Sequence, residues 1–274
     1  MAPRFASLAE AHEAGDCKKR HSQPLCGCEL KALVDTIQPP SPNAHPCQPP
    51  DGLRALATDF DGTLAHDGKV SETTLQGVLR LKQAGYKLIM VTGRELNDLI
   101  ATFPEIHLFD LLVLENGAVL HEPATGGTQA LAALPPPEFI TRLIAKGMPV
   151  DVGKVIVATW EPHEAEVLAA IKELGLDLQV IFNKGAVMVL PSGVNKATGL
   201  RAALSAMGLE AAQVAGVGDA ENDHAFLDIC GFPVAVANAL PSIRDKVRHV
   251  TTADHGDGVV ELIDCLLTPR TIQA

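Results

Sequence analysis

Two aspartates stand two positions apart in Asp59-Phe60-Asp61-Gly62-Thr63-Leu64, directly behind the apolar run 53–58. Carboxylates held together at the tip of a buried strand repel one another, and a divalent cation between them offsets that cost. Such a pair can do nucleophilic chemistry: one carboxylate attacks while its neighbour on the same loop gives and takes protons. Asp-Gly behind a strand is also an ordinary turn, so the segment specifies chemistry only in company.

Three further segments supply that company. The apolar run 87–92 ends in Thr92-Gly93-Arg94, where a hydroxyl and the backbone amides from Gly93 onward, at the start of a helix, can bind a phosphate oxygen. The plainer reading there is a helix cap by Thr92 and a surface arginine. Lys196, in Gly193-Val194-Asn195-Lys196, opens a later helix. Its ammonium can bridge a nucleophilic carboxylate and an anionic group in transfer, although a lone lysine is more often simply solvated. The strongest second signal is Gly216-Val217-Gly218-Asp219-Ala220-Glu221-Asn222-Asp223, again acids at the tip of an apolar strand. Mg2+ takes a few hard carboxylate oxygens and fills its remaining positions with water and phosphate, and Asp59, Asp61, Asp219 and Asp223 make such a set. Acids also gather at ordinary helix starts, with Asn222 as a cap.

The elements that must position these residues alternate short apolar runs with amphipathic stretches, which predicts an α/β protein built on a doubly wound parallel sheet. Strands are expected over residues 53–58, 87–92 and 111–115, and a helix over 71–84 with Ser71 as its cap and Gly85 behind it. A second set reads as a helix over 195–207 closed by Gly208, a strand over 213–217, a helix over 222–230 and a strand over 234–236. Between the two sets, residues 123–137 are rich in Gly, Ala and Pro and read as a connector. Beyond them the pattern predicts helices over 138–146 and 162–174, a strand over 154–159, and strands 178–182 and 186–190 joined as a hairpin through Asn183-Lys184-Gly185. Residues 51–122 and 191–274 therefore form the core. Residues 123–190 form a small inserted α+β domain over the strand ends, where open α/β sheets bind ligands.

Residues 38–50 carry Pro39, Pro40, Pro42, Pro46, Pro49 and Pro50, so residues 1–50 read as a poorly ordered extension. Cys17, Cys26, Cys28 and Cys47, with His21 and His45, lack the paired spacing of a zinc knuckle, and zinc is not expected. Cys230 and Cys265 read as small core residues.

The chain has 274 residues, is 47% hydrophobic and carries a formal net charge of −11. That charge disfavours nucleic acid and anionic membrane as partners. No apolar window approaches the length of a membrane span and the N-terminus lacks a signal-peptide pattern, so a cytoplasmic location is expected. Oligomeric state is not legible.

Taken in order, Asp59-Phe60-Asp61-Gly62-Thr63, Thr92-Gly93-Arg94, Lys196 and Gly218-Asp219-Ala220-Glu221-Asn222-Asp223 resemble the four motifs of the haloacid dehalogenase superfamily, in its Cof-like, type IIB subgroup of phosphatases. The likeness spans residues 53–267, and the first fifty residues have no counterpart in it. It implies Asp59 as an aspartyl nucleophile, Asp61 as acid and base, and Thr92, Gly93, Lys196 and Asn222 as holders of substrate phosphate. Asp59, Asp61, Asp219 and Asp223 would hold Mg2+. Asp at position 61 favours phosphatases over the superfamily's dehalogenases. The implied activity is hydrolysis of a small phosphorylated metabolite, a sugar phosphate or phosphoglycolate type of ester, through an aspartyl phosphate. Residues 123–190 would be the cap domain. A phosphomutase of the phosphomannomutase type is the nearest rival, disfavoured because the cap segment holds few cations: Arg142, Lys146, Lys154, Lys172 and Lys184. A non-catalytic binding protein on the same fold is disfavoured by the intact acids.

Overall fold

The computed structural model describes residues 47–183 and 185–268. Its centre is β1 (Ala55–Thr58), four residues that are buried throughout. A strand covered on both faces has to be apolar along its whole length. β2 (Lys87–Val91) and β3 (Leu111–Leu114) continue the parallel sheet on one side of β1, and β10 (Val214–Gly218), β11 (Phe232–Ala235) and β12 (His249–Val250) continue it on the other. The chain thus builds outward from β1 in one direction and later returns to its opposite flank. The strand ends beside β1 form the switch point at which open α/β sheets gather their ligands. Register brings the relevant tips level, since Thr58 lies opposite Met90 of β2 and opposite Val217 of β10.

Helices cover both faces. α1 (Glu72–Gln83) starts at Ser71, whose hydroxyl accepts the Thr74 amide, as expected from its cap signal. α2 (Leu96–Thr102) follows β2. The sheet is completed by an antiparallel pair, β4 (Val119–Glu122) and β5 (Gly127–Ala130). The connector expected over 123–137 therefore contains an edge strand: a turn closes at Gly126, and Gly127–Ala130 pairs with β4 although its side chains are mostly exposed. Backbone pairing needs no apolar pattern, which is why composition hid it.

The second layer is α3 (Pro137–Ala145) and α4 (Glu164–Glu173) packed on a four-stranded antiparallel sheet, β6 (Asp151–Val152), β7 (Val157–Trp160), β8 (Leu178–Asn183) and β9 (Ala186–Pro191), in the order β6-β7-β9-β8. Strand alternation divides its residues. Val157, Val187 and Val189 face Phe139, Leu143 and Val167 of the two helices, while Ile156, Met188 and Leu190 pack into the core of the large sheet. Asn183 lies opposite Ala186, so the expected hairpin forms; Lys184 itself falls outside the described residues. Of the other cap cations, Arg142 pairs with Glu173 at 2.5 Å on the helical side.

α5 (Lys196–Met207) begins at Asn195, whose side chain accepts the amides of Ala197 and Thr198, and ends at Gly208 in the left-handed region (φ 65°). The single helix expected over 222–230 is instead a short 3-10 turn, Glu221–Asp223, followed by α6 (His224–Ile229). α7 (His255–Leu267), which the sequence reading does not separate, buries Val259, Leu262 and Ile263 and packs along α1. Among the described residues, no helix is long and apolar enough to cross a membrane.

Cys230 is buried and free, as expected. Cys265 is a correction: it forms a disulfide with Cys47 across 218 positions of sequence, tying the described start of the chain to α7. Cys17, Cys26, Cys28, His21 and His45 lie outside the described residues.

Candidate active site

β1 ends at Thr58, so Asp59 is the first residue past the sheet, its amide held by the Val217 carbonyl at 3.0 Å and its side chain 6% exposed. β10 delivers Asp219 to the same edge. Lys196, at the first position of α5, reaches between them: its Nζ donates to Asp59 Oδ1 and to Asp223 Oδ1, each at 2.6 Å, and is itself buried. The other Asp223 oxygen accepts the amides of Asp219 and Ala220 at 2.8 and 2.9 Å. Gly218 makes that fold-back possible, because a Cβ there would stand 2.7 Å from Asp223 Oδ2. Asp223 thus clasps the loop that carries Asp219. Asp219 Oδ1 also accepts the buried Thr63 hydroxyl at 2.9 Å.

Ligand atoms of Asp59, Asp219 and Asp223 all lie within 4.8 Å of one another. Burial, then the charge of Asp223, pushes the Asp59 carboxyl well above the usual carboxylate range despite the pull of Lys196. Burial alone would depress the Lys196 ammonium, but Asp223 and Asp59 outweigh it and hold the group above its ordinary value, so the lysine stays charged. With all three ionised, these buried carboxylates around one ammonium leave an excess of negative charge. The donors are hard oxygens, and the buried Asn222 Oδ1 beside them has no hydrogen-bond partner. That set fits a small divalent cation such as Mg2+, with Asp59 and Asp219 the better placed acids, because the Asp223 carboxylate already takes three hydrogen bonds.

Asp61 is not brought into this group. Its two oxygens receive Arg94 Nε at 2.7 Å and Nη2 at 2.8 Å, in the forked geometry that suits guanidinium and carboxylate. Arg94, read from sequence as a candidate surface residue, lies over the Phe60 ring and also binds Asp98 and Thr102. Thr92 is buried at the tip of β2, but its hydroxyl accepts the Arg94 amide at 3.1 Å and α2 begins only at Leu96, so the helix-start amides expected at Thr92 are partly engaged. Gly93 lies against Asn116: a Cβ there would meet the Asn116 amide at 3.2 Å. Asn222 Nδ2 donates to Asn116 Oδ1 at 3.0 Å, which joins the acid loop to the same residue.

Sequence reasoning missed Thr63, Glu115 and Asn116. Thr63 stands inside the quoted motif. Asn116-Gly117 is a turn dipeptide behind a strand, a signal open to reading. Nothing local marks Glu115.

The match to known proteins follows this geometry. The family model of haloacid dehalogenase-like hydrolases matches residues 56–146 and 138–263. A phosphoglycolate phosphatase of Methanothermobacter thermautotrophicus is 33% identical over 222 residues, covering 77% of this chain and 97% of that protein. A phosphoglycolate phosphatase of Haloarcula marismortui is 30% identical over 76% of this chain and 95% of its own. Among solved structures, a haloacid dehalogenase-like hydrolase of Bacteroides thetaiotaomicron superposes with a TM-score of 0.68 at 17% identity, over 78% of this chain and all of that one. A sugar phosphatase of subclass IIB superposes with a TM-score of 0.64 at 19% identity, over 78% of this chain and 98% of its own. With its acids at the switch point of a parallel sheet and a small antiparallel layer above them, the chain belongs to the haloacid dehalogenase-like hydrolase family, in its Cof-like branch, and is an enzyme of the phosphatase kind.

Proposed function

We propose that the chain hydrolyses a small phosphate monoester in two steps at Asp59, with Mg2+ as cofactor. The observation that carries this reading is the joining of Asp59 and Asp223 by one buried ammonium, with Asp219 within ligand distance of both. A carboxylate of Asp59 attacks phosphorus as the ester P–O bond breaks, and the leaving oxygen takes a proton from Asp61. Water then attacks the aspartyl phosphate, Asp61 accepts its proton, and the P–O bond to Asp59 breaks, releasing inorganic phosphate. Lys196 holds the nucleophile and the transferring group together, two anions that otherwise repel. Thr92, Gly93 and Asn222 line the phosphate side. A bound magnesium ion would supply charge neutralisation between the carboxylates of Asp59 and Asp219 and the phosphoryl oxygens.

Asp61 must leave Arg94 to act, because its oxygens are engaged there. The role of acid and base therefore includes a swing of this side chain toward Asp59. The antiparallel layer, read as a cap over residues 123–190, carries the selectivity. Phosphoglycolate and sugar phosphates are the first esters to test, since two relatives of similar length carry the name phosphoglycolate phosphatase. Cytoplasmic residence remains the proposal from composition, and the Cys47–Cys265 bond weighs against it, since such bonds persist mainly in oxidising compartments. A phosphate-release screen over those esters with and without Mg2+ tests the function. Release that is independent of Mg2+, or none from any ester, overturns it.

A further inference from the structure

One buried charge takes no part in the chemistry above. Glu115, immediately past β3, is 3% exposed and has φ +50°, a conformation that side chains rarely adopt. Its carboxylate accepts three consecutive amides of the turn between β6 and β7: Lys154 at 2.9 Å, Val155 at 2.8 Å and Ile156 at 2.8 Å. The turn is built for that approach. Gly153 admits the carboxylate, since a Cβ there would stand 3.0 Å from Glu115 Cδ and 2.9 Å from Glu95 Cδ. Val155 and Ile156 insert into the core of the large sheet.

The next two residues extend the junction to the acids. Asn116 (φ +53°) donates to Met188 Sδ of β9 at 3.1 Å and accepts from Asn222. Gly117 (φ +101°) lies so close to the start of α5 that a Cβ would fall 1.9 Å from the Asn195 carbonyl oxygen, one residue from Lys196. Three successive residues in the left-handed region persist only where surrounding contacts over-determine them. Here those contacts run to the small sheet, the Asp219 loop and the lysine helix.

We propose that Glu115 is a positioning residue, which sets the small sheet in register over Asp59 by gripping the β6–β7 turn. Its effect on turnover rests on the phosphatase reading; the grip itself does not. Glu115→Gln keeps the volume but puts an N–H donor where an acceptor is needed, and Glu115→Asp keeps the charge but falls short of the turn.

Both variants are to be compared with the parent by amide hydrogen exchange and by steady-state kinetics on p-nitrophenyl phosphate with Mg2+. The expected result is exchange at residues 154–156 at least about tenfold faster, with a melt that stays cooperative. KM should rise about fivefold or more while kcat stays within about twofold, because the layer over the substrate is displaced and the attacking carboxylate is not. Parent-like exchange in both variants overturns the proposal. So does a fall in kcat at fixed KM, which is what simple loss of folded enzyme produces. If the parent itself releases no phosphate, the phosphatase reading fails and exchange at 154–156 alone decides the grip.

Discussion

The ammonium of Lys196 lies 2.6 Å from Oδ1 of Asp59, across 137 positions of sequence, and both side chains are buried. A lysine so placed serves two ends. It offsets carboxylates that would otherwise repel one another, and it keeps the Asp59 oxygen aimed from the sheet edge.

Asp59→Asn tests the nucleophile. The amide is nearly isosteric, and it removes a charge that Asp223 and Asp219 both oppose, so the fold should persist with a cooperative melt. Turnover should fall below about a hundredth of the parent value, since an amide is too weak a nucleophile to form the acyl phosphate. Phosphate release above that level would remove Asp59 from the role.

Lys196→Ala and Asp219→Ala should separate charge balance from metal binding. Removing Lys196 leaves two buried carboxylates without their cation, a loss of about 3–5 kcal/mol in stability. It also removes roughly 2–4 kcal/mol of transition-state stabilisation, about a thirtyfold to thousandfold drop in kcat/KM. The site becomes more negative, so Mg2+ should raise the melting temperature of Lys196→Ala more than that of the parent. Asp219→Ala should lose the Mg2+ shift. Differential scanning fluorimetry across a Mg2+ titration reads both; an unchanged shift in Asp219→Ala would discard it as a ligand.

Glu95 makes stability depend on pH. Burial first, then the charges of Asp151, Glu115 and Asp98, raise its pKa from 4.5 to about 7. Between those values the folded chain holds a proton that the unfolded chain has released, so the Glu95 contribution falls as pH rises through that window and is flat above it. Glu95→Gln carries no such dependence. Its melting temperature relative to the parent should climb from pH 5 to pH 8 and be higher than the parent at pH 8. A difference that stays constant over that range would show that Glu95 titrates normally.

How far the sequence led depends on the range over which each feature is encoded. Asp59, Asp61, Asp219 and Asp223 were legible as candidates because acids at the tips of apolar runs are a local pattern, and the meeting of Asp59, Asp219 and Asp223 follows from the switch point of a parallel sheet. The helix caps Ser71 and Asn195 were legible for the same reason. Glu115 was not, because its partners are backbone amides of a turn about forty positions away, and amides carry no residue type. The turn of Asp61 toward Arg94 was equally hidden, since the chain spacing suits either partner. β5 escaped because its pairing is carried by backbone alone, and Cys265 escaped because a buried free thiol and a distant cross-link look identical in sequence.

The Cys47–Cys265 bond changes what truncation should do. Composition alone predicts that deleting residues 1–50 leaves stability nearly unchanged; the deletion removes Cys47 and opens a cross-link spanning 218 positions. A link over a loop of that length restricts the unfolded chain by as much as about 5 kcal/mol, less whatever the short segment before β1 recovers by fraying on its own. For a domain of this size that corresponds to a fall in melting temperature of up to about 10 °C. Cys230 does not confuse the test, because burial pushes its thiol up to about 12 and it remains an inert thiol. Dithiothreitol should therefore lower the melting temperature of the parent, Cys47→Ser should match the reduced parent, and the truncated chain should match both. None of the variants should lose phosphate release at a temperature where it is folded, since the bond lies on α7 and the acids lie at the strand ends. Equal melting of oxidised and reduced parent, with the cross-link verified by intact mass, would show that the tie restrains only the segment it holds.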